Sequence, residues 1–288
     1  MRPFELLEPR DITEACSLLA EHKEKAKIVA GGQSLLVLLK ARLIAPRYLI
    51  NIKGFSGLEH IQENSNGIRI GALVTHRAIE TSPLIRERLL MLAEMEGRVA
   101  SVQIRNWGTI GGNLCHADPA GDPAPALIAL GAKVKVRSVR GEREIPMEEF
   151  FVDYLESALE ADEILTEIQL PYPLPGTGGA FIKEAVRFGD MAIASVAAVV
   201  TLERGVVKDA RLVLGAVGST PIRAKEAEKA IIGNMVADVL EDACRTAAGE
   251  AKPVADIYGS VEYKRHLVKV ITKSVLTEAA RRAQEEAT

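Results

Sequence analysis

AGGQS at residues 30–34 and TIGGN at residues 109–113 are the two stretches that best explain the rest of this sequence. Each combines two glycines with small or polar neighbours, a composition typical of a tight backbone turn. Glycine lacks a Cβ and reaches positive φ easily, so neighbouring N–H groups can converge on an anion such as a diphosphate. Two such stretches in one chain predict a binding site for a phosphorylated ligand.

The first stretch lies between a predicted strand, residues 27–29, and a predicted helix, residues 35–43, with Ser34 as the expected N-cap. A strand, a glycine turn and a helix N-terminus in succession leave N–H groups unpaired at the positive end of the helix dipole. The alternative is a strand-to-helix turn that binds nothing. The pattern GxGxxG and the P-loop pattern GxxxxGK[ST] are both absent, so neither of those nucleotide sites is predicted.

The second stretch is predicted to be a loop that adds polar side chains to the same site. Thr109 and Asn113 flank its glycines, and Asp122 precedes Pro123. Asp122 is therefore expected to cap the next helix and to accept hydrogen bonds from sugar-like hydroxyls. A side chain at Gly111 would occupy diphosphate space, so Gly111→Val is expected to abolish ligand retention in a folded chain. The alternative is that these polar side chains are exposed to water on a loop and bind no ligand.

Composition excludes several classes of function. The chain is 48% hydrophobic with a net charge of −3, which gives no basic field for nucleic acid. No secretory signal is visible, and the longest apolar stretch, residues 192–202, is too short to span a membrane. We therefore expect a cytoplasmic protein. Cys16, Cys115 and Cys244 are too widely spaced for an iron–sulfur cluster or structural zinc, so redox chemistry would need an organic cofactor.

Three prolines and three glycines within residues 171–179 predict a domain boundary. The expected fold class is α+β. The N-terminal domain would cover residues 1–173, with subdomains at about 1–54 and 55–173, and a linker would follow at 174–180. The C-terminal domain, 181–288, is expected to hold helices and a three-stranded antiparallel sheet formed by residues 181–187, 192–203 and 206–215.

Several side chains near these motifs are expected to have structural roles only. Residues 82–95 are predicted to form one helix, with Glu96 on its solvated face. His76 is expected to be a surface or capping residue. Trp107 is expected to pack between the second stretch and a sheet.

Three longer stretches carry a resemblance to a known family: AGGQSLLVLLK (30–40), QIRNWGTIGGN (103–113) and HADPAGD (116–122). They resemble the flavin-binding medium subunit of carbon monoxide dehydrogenase and, more broadly, the FAD domain of xanthine dehydrogenase-type molybdenum hydroxylases. The resemblance covers nearly the whole chain. It implies a two-subdomain FAD-binding domain of the vanillyl-alcohol-oxidase (PCMH-like) type, followed by a small C-terminal domain.

The resemblance also implies roles for individual residues. The FAD pyrophosphate would be wrapped by the backbone amides of Val29, Ala30, Gly31, Gly32, Gln33, Ser34 and Leu35. A second wall would be formed by Thr109, Ile110, Gly111, Gly112 and Asn113. Asn113 and Asp122 would bind ribityl or ribose hydroxyls, Leu165 would pack near the isoalloxazine, and Lys183 would reach the flavin. Cys115 would lie against the flavin ring; a buried small hydrophobe is an equal and compatible interpretation of the same residue. No catalytic acid or base and no metal ligand is expected.

The function implied is that of an FAD-carrying electron-transfer subunit in a heteromeric molybdenum hydroxylase. A molybdopterin-containing large subunit would oxidise the substrate, and a small subunit with [2Fe-2S] clusters would pass electrons to the flavin. An external acceptor would receive them, and the complex would be a dimer of heterotrimers. The alternatives are a stand-alone FAD-dependent oxidoreductase and a scaffold that has lost the flavin.

Overall fold

The computed structural model describes residues 1–286 and confirms the α+β class. An N-terminal parallel sheet has the strand order β1-β3-β2, with β1 at Glu5–Leu7, β2 at Ala26–Val29 and β3 at Tyr48–Asn51. These strands are connected by α1 (Ile12–His22) and α2 (Leu35–Lys40). The carboxylate of Asp11 begins α1, because it accepts hydrogen bonds from the free N–H groups of the first helical turn.

A second, antiparallel sheet follows in the order β4-β5-β10-β6-β7. Its strands are β4 (Ile61–Asn64), β5 (Gly67–Gly71), β6 (Lys133–Ser138), β7 (Gly141–Pro146) and β10 (Ile164–Pro171). A small ribbon is formed by β8 (Phe151–Asp153) and β9 (Glu156–Ser157). Between β5 and β6 the chain forms α3 (His76–Thr81), α4 (Pro83–Arg88), α5 (Leu90–Glu96), α6 (Val102–Trp107), α7 (Ile110–His116) and α8 (Pro123–Ala129).

The single helix predicted at residues 82–95 is two helices, α4 and α5. The hydroxyl of Ser82 caps α4 as its Pro83 start suggests, accepting a hydrogen bond from the N–H of Ile85 at 3.4 Å. Leu89 then leaves the helical region with φ −139° and ψ 55°. Its side chain is buried, so the break lets an apolar residue reach the core.

The C-terminal sheet is antiparallel with four strands, in the order β11-β12-β13-β14, rather than the three expected. The strands are β11 (Thr177–Glu184), β12 (Ala194–Glu203), β13 (Val206–Gly215) and β14 (Ile222–Arg223). Helices α9 (Lys225–Ile231), α10 (Val236–Glu250) and α11 (Val261–Glu286) cover it. The fourth strand has only two residues, too few for a side-chain alternation to be visible in the sequence.

The linker predicted at residues 174–180 is too long by four residues, because residues 177–180 belong to β11. Their glycines serve packing. A Cβ at Gly178 would overlap the carbonyl oxygen of Ala279 in α11, so glycine lets the C-terminal helix lie directly on the strand. Composition alone does not distinguish such a contact from a flexible connection.

The two domains share a hydrophobic core. Ala197 and Val213 of the C-terminal sheet belong to the same buried cluster as Leu92 and Leu127 of the N-terminal domain. Across the described residues, no helix is both long and apolar enough to cross a lipid bilayer.

Candidate functional site

The first glycine stretch folds as the predicted strand, turn and helix. Strand β2 ends at Val29, α2 begins at Leu35, and Gly32 between them has φ +73°, a conformation that favours glycine. The prediction that Ser34 caps the helix is wrong, since its backbone is already helical and its side chain accepts no amide. The helix is shorter than predicted and ends at Lys40.

The backbone amides of this stretch have no protein acceptor. Among residues 1–286, none of the six consecutive N–H groups from residue 30 to residue 35 donates a hydrogen bond within the chain. The residues themselves are only half-exposed. The side-chain amide of Gln33 donates to the Gly31 carbonyl at 2.9 Å, which stabilises the turn. Six unpaired donors around a left-handed glycine are available to an anion.

The second glycine stretch is a helix start, so the prediction that it is a loop is wrong. Thr109 caps α7, and its hydroxyl accepts a hydrogen bond from the N–H of Gly112 at 3.1 Å. The remaining first-turn amides also have partners: Ile110 donates to Val74, Gly111 to Ala72 and Asn113 to the Thr109 carbonyl, each at 3.0 Å. This stretch can therefore contribute side chains such as that of Asn113 to a binding site, but the N–H groups of its first turn already donate hydrogen bonds within the chain.

Gly111 is a packing residue. A Cβ at this position would lie 2.6 Å from the Cβ of Ala72 and 2.7 Å from its carbonyl oxygen. The expectation that a side chain at Gly111 would occupy diphosphate space is therefore wrong, while the assignment of the Gly111 backbone to the FAD site remains a prediction. Its missing side chain lets α7 lie directly on the backbone that leaves β5.

Backbone contact brings the two stretches together. A Cβ at Gly31 would overlap the carbonyl oxygen of Trp107 and lie 2.9 Å from the Cα of Gly108. A cleft of about 320 Å³ opens beside this contact, lined by Ala30, Gly31, Lys53, Glu59, Leu73, Thr75, Asn106, Trp107 and Thr109. Another cavity, of about 310 Å³, lies between α1 and the β6–β7 hairpin and contains none of the predicted site residues.

Asp122 and Lys183 form a buried ion pair that joins the two domains. The Lys183 Nζ lies 2.6 Å from Asp122 Oδ2, and each side chain is only 6% exposed. Asp122 does not cap α8, so that part of its expected role is wrong. Its other oxygen, Oδ1, is buried and has no hydrogen-bond partner among residues 1–286. Burial raises the pKa of the Asp122 carboxyl to about 6, and the Lys183 ammonium opposes part of that rise.

Two other predicted site residues have different environments. Leu165 is 2% exposed and belongs to the core beneath the second sheet. Its expected position near the isoalloxazine remains a prediction. Cys115 is exposed on α7, so it is not a buried small hydrophobe, although desolvation by the surrounding protein raises the pKa of its thiol to about 12. Its expected position against the flavin ring remains a prediction.

A buried pair that the sequence did not reveal supports the second stretch. His76 Nδ1 lies 2.6 Å from Glu96 Oε2, and both side chains are at most 2% exposed. The backbone N–H of His76 donates to the Gly108 carbonyl at 3.1 Å. The expectations of a surface histidine and a solvated glutamate are therefore wrong. The sequence signal was the apolar run before Glu96, which indicates that this helix is buried on most sides.

Comparison with known proteins matches both domains of the chain to flavoprotein families. Residues 2–173 match the family described as the FAD binding domain in molybdopterin dehydrogenase, and residues 180–279 match the CO dehydrogenase flavoprotein C-terminal domain. The chain is 37% identical over 288 residues to the 6-hydroxypseudooxynicotine dehydrogenase complex subunit alpha of Paenarthrobacter nicotinovorans, covering 99% of this chain and 97% of that protein.

Two further matches extend over almost the full length. The caffeine dehydrogenase subunit beta of Pseudomonas sp. strain CBB1 is 35% identical, with 98% of this chain and 97% of that protein covered. A solved structure of carbon monoxide dehydrogenase from Hydrogenophaga pseudoflava, lacking the Mo-pyranopterin moiety of its molybdenum cofactor, has a chain with a TM-score of 0.95 and 34% identity. The match covers 98% of this chain and 99% of that one.

Proposed function

This chain belongs to the family of FAD-binding subunits of molybdopterin dehydrogenases, and on that premise we propose that it carries electrons between a partner subunit and an external acceptor. It is an FAD-dependent oxidoreductase subunit of the molybdenum hydroxylase type. Proteins similar to it are named as subunits of dehydrogenase complexes.

The observation that carries the proposed binding mode is the run of six unpartnered amides from residue 30 to residue 35. We assign these amides to the FAD diphosphate, because consecutive N–H donors without protein acceptors suit an anion. The buried Asp122 Oδ1 lacks a donor and would accept a hydrogen bond from a ribityl or ribose hydroxyl. The Asn113 side chain would bind a neighbouring hydroxyl. The residues present therefore fit FAD.

When bound, FAD supplies a centre that accepts electrons and releases them to another acceptor. The residues of this chain bind and orient it. The Lys183 ammonium donates hydrogen bonds to Asp122 at 2.6 Å and to the Asp190 carbonyl at 3.0 Å. These two contacts fix its positive charge beside the proposed site. No side chain is assigned as an acid or base catalyst.

For the complex, we propose a molybdopterin-containing large subunit and a small subunit with [2Fe-2S] clusters, assembled as a dimer of heterotrimers in the cytoplasm. The support is the family itself and the names of similar proteins, which include a medium chain of carbon monoxide dehydrogenase and a carbon monoxide dehydrogenase that normally has a molybdenum cofactor but lacks its Mo-pyranopterin moiety in the solved structure. Electrons would reach FAD from the [2Fe-2S] subunit.

Purification of the chain with and without its partner subunits tests this proposal. We expect the yellow absorbance of oxidised flavin in the purified protein, and loss of that absorbance on anaerobic mixing with the reduced iron–sulfur subunit. A flavin-free complex would favour the scaffold alternative. A flavoprotein that oxidises an organic substrate without any partner would favour the stand-alone oxidoreductase.

Asp122 is expected to make FAD affinity depend on pH. Since the pKa of this carboxyl in the unliganded protein is about 6, acidification below pH 6 protonates the group that is assigned as a hydroxyl acceptor. The carboxylate form binds better, so Kd should rise as pH falls, by about tenfold between pH 7 and pH 5. Titration of the protein with FAD across this range measures the effect.

Asp122→Asn is the matched variant for this titration. It keeps the shape of the side chain and cannot ionise, so FAD should bind more weakly at pH 7 and Kd should change little down to pH 5. A wild-type Kd that is constant from pH 7 to pH 5 would remove Asp122 from the binding site.

A further inference from the structure

Lys53 is a cation held at the cleft by an aromatic ring. It lies two residues after the end of β3, and its Nζ lies 3.7 Å from the centroid of the Trp107 ring. Among residues 1–286, no carboxylate oxygen lies within 4.0 Å of this Nζ, so the ammonium has no ion-pair partner in that part of the chain. The Trp107 face restricts where the ammonium can go, because the negative face of the ring attracts it.

Trp107 is positioned by the same contact that joins the two glycine stretches. Its backbone carbonyl touches Gly31, while its side chain is 55% exposed. The expectation that this tryptophan packs between loop and sheet is therefore wrong. Its ring instead forms part of the wall of the cleft.

The cleft places this ammonium beside the unpartnered amides. Lys53 lines the same 320 Å³ space as Ala30 and Gly31, the first two residues whose N–H groups lack acceptors. Glu59 also lines the cleft, but its carboxylate lies beyond ion-pair distance and leaves the lysine charge available. Amides supply only partial positive charges, whereas a diphosphate carries two full negative charges.

We propose that Lys53 is the counter-charge for the FAD diphosphate and that Trp107 is the positioning residue that holds it there. This inference rests on the proposed function, since it concerns the same cofactor. An ammonium already restrained on a ring loses less conformational freedom on binding than a free surface lysine does. Lys53 therefore adds affinity and selects for a flavin that carries a diphosphate.

The test is titration of the full chain with FAD at low and at high ionic strength. Lys53→Met is expected to raise Kd about tenfold at low ionic strength, as loss of one charge-assisted contact predicts. High ionic strength should reduce the difference in Kd between Lys53→Met and the wild type, because Lys53 is exposed and salt screens exposed charges. Lys53→Arg keeps the charge and should bind nearly as tightly as the wild type. Lys27→Met removes an exposed lysine from neighbouring β2 and should leave Kd unchanged.

Variants of the ring test the positioning role separately. Trp107→Leu should weaken FAD binding at low ionic strength, and Trp107→Phe, which keeps an aromatic face, should restore most of the affinity. Equal Kd values for Lys53→Met and the wild type would overturn the inference. The inference would also be overturned if Lys53→Met lost FAD affinity, Lys53→Arg lost it equally, and high ionic strength left the difference in Kd unchanged. Failure of the wild type to bind FAD would instead overturn the proposed function.

Discussion

Gly31→Ala is expected to raise the Kd for FAD about 100-fold. The new Cβ would overlap the Trp107 carbonyl oxygen, which is backbone and has little freedom to move. The turn must then shift away from the second stretch, which displaces the unpartnered amides of residues 30–35. Loss of two hydrogen bonds to a charged ligand costs about 3 kcal/mol, which corresponds to roughly 100-fold in affinity.

Gly57→Ala is the matched control, because a Cβ at Gly57 meets nothing within 4 Å. Titration of both variants with FAD, together with thermal unfolding of the flavin-free proteins, separates loss of binding from loss of fold. We expect a large change in Kd and a smaller change in melting temperature for Gly31→Ala, and no change in either quantity for Gly57→Ala. Unaltered FAD binding by Gly31→Ala would show that the turn does not form the diphosphate site.

Gly111→Ala is expected to lower the free energy of unfolding of the flavin-free protein by about 3 kcal/mol, at the upper end of what overpacking costs. The added methyl group meets the Cβ of Ala72 at 2.6 Å and its carbonyl oxygen at 2.7 Å. That carbonyl also accepts the Gly111 N–H, so moving α7 away breaks a buried hydrogen bond. Chemical denaturation without added FAD measures this effect directly.

Gly112→Ala, one position further along the same helix, provides the comparison. Its Cβ would meet only the Thr109 hydroxyl, at 2.8 Å, and the helix propensity of alanine offsets part of that contact. Its free energy of unfolding should stay within about 1 kcal/mol of the wild type. Equal losses in the two variants would show that contact with Ala72 is not the reason for glycine at position 111.

The first glycine stretch was predictable because its signals are local. A β-branched run, two glycines and an apolar run follow one another in the chain, and each favours its observed conformation without distant partners. The wrong prediction that Ser34 is the N-cap also has a local cause. The turn enters the helix one residue early, so Ser34 is already helical and its hydroxyl cannot act as an N-cap.

The second stretch was not predictable in the same way, because its partners are distant in sequence. Two adjacent glycines argue against a helix on propensity alone. The helix forms because Val74 and Ala72 supply carbonyl acceptors and Thr109 supplies a cap. Gly178 was misinterpreted for a similar reason, since the helix that requires it lies 100 residues later in the chain.

The resemblance assigned roles to the site residues without indicating how they contact one another. The resemblance placed Asp122 and Lys183 at the cofactor, but nothing in the sequence indicated that they pair with each other across 61 residues. The burial of His76 and Glu96 was not predicted, because a histidine and a glutamate look the same in the sequence whether they are buried together or exposed to water. Lys53 was missed because its importance depends on the ring beside it, 54 positions away.

Amide hydrogen exchange, compared between the flavin-free and the FAD-loaded chain, tests the central claim most directly. We predict strong new protection at the amides of residues 30–35, which lack protein acceptors, and little change at residues 110–113, whose amides are already bonded. New protection confined to residues 110–113, with residues 30–35 exchanging as before, would contradict this assignment of the diphosphate site.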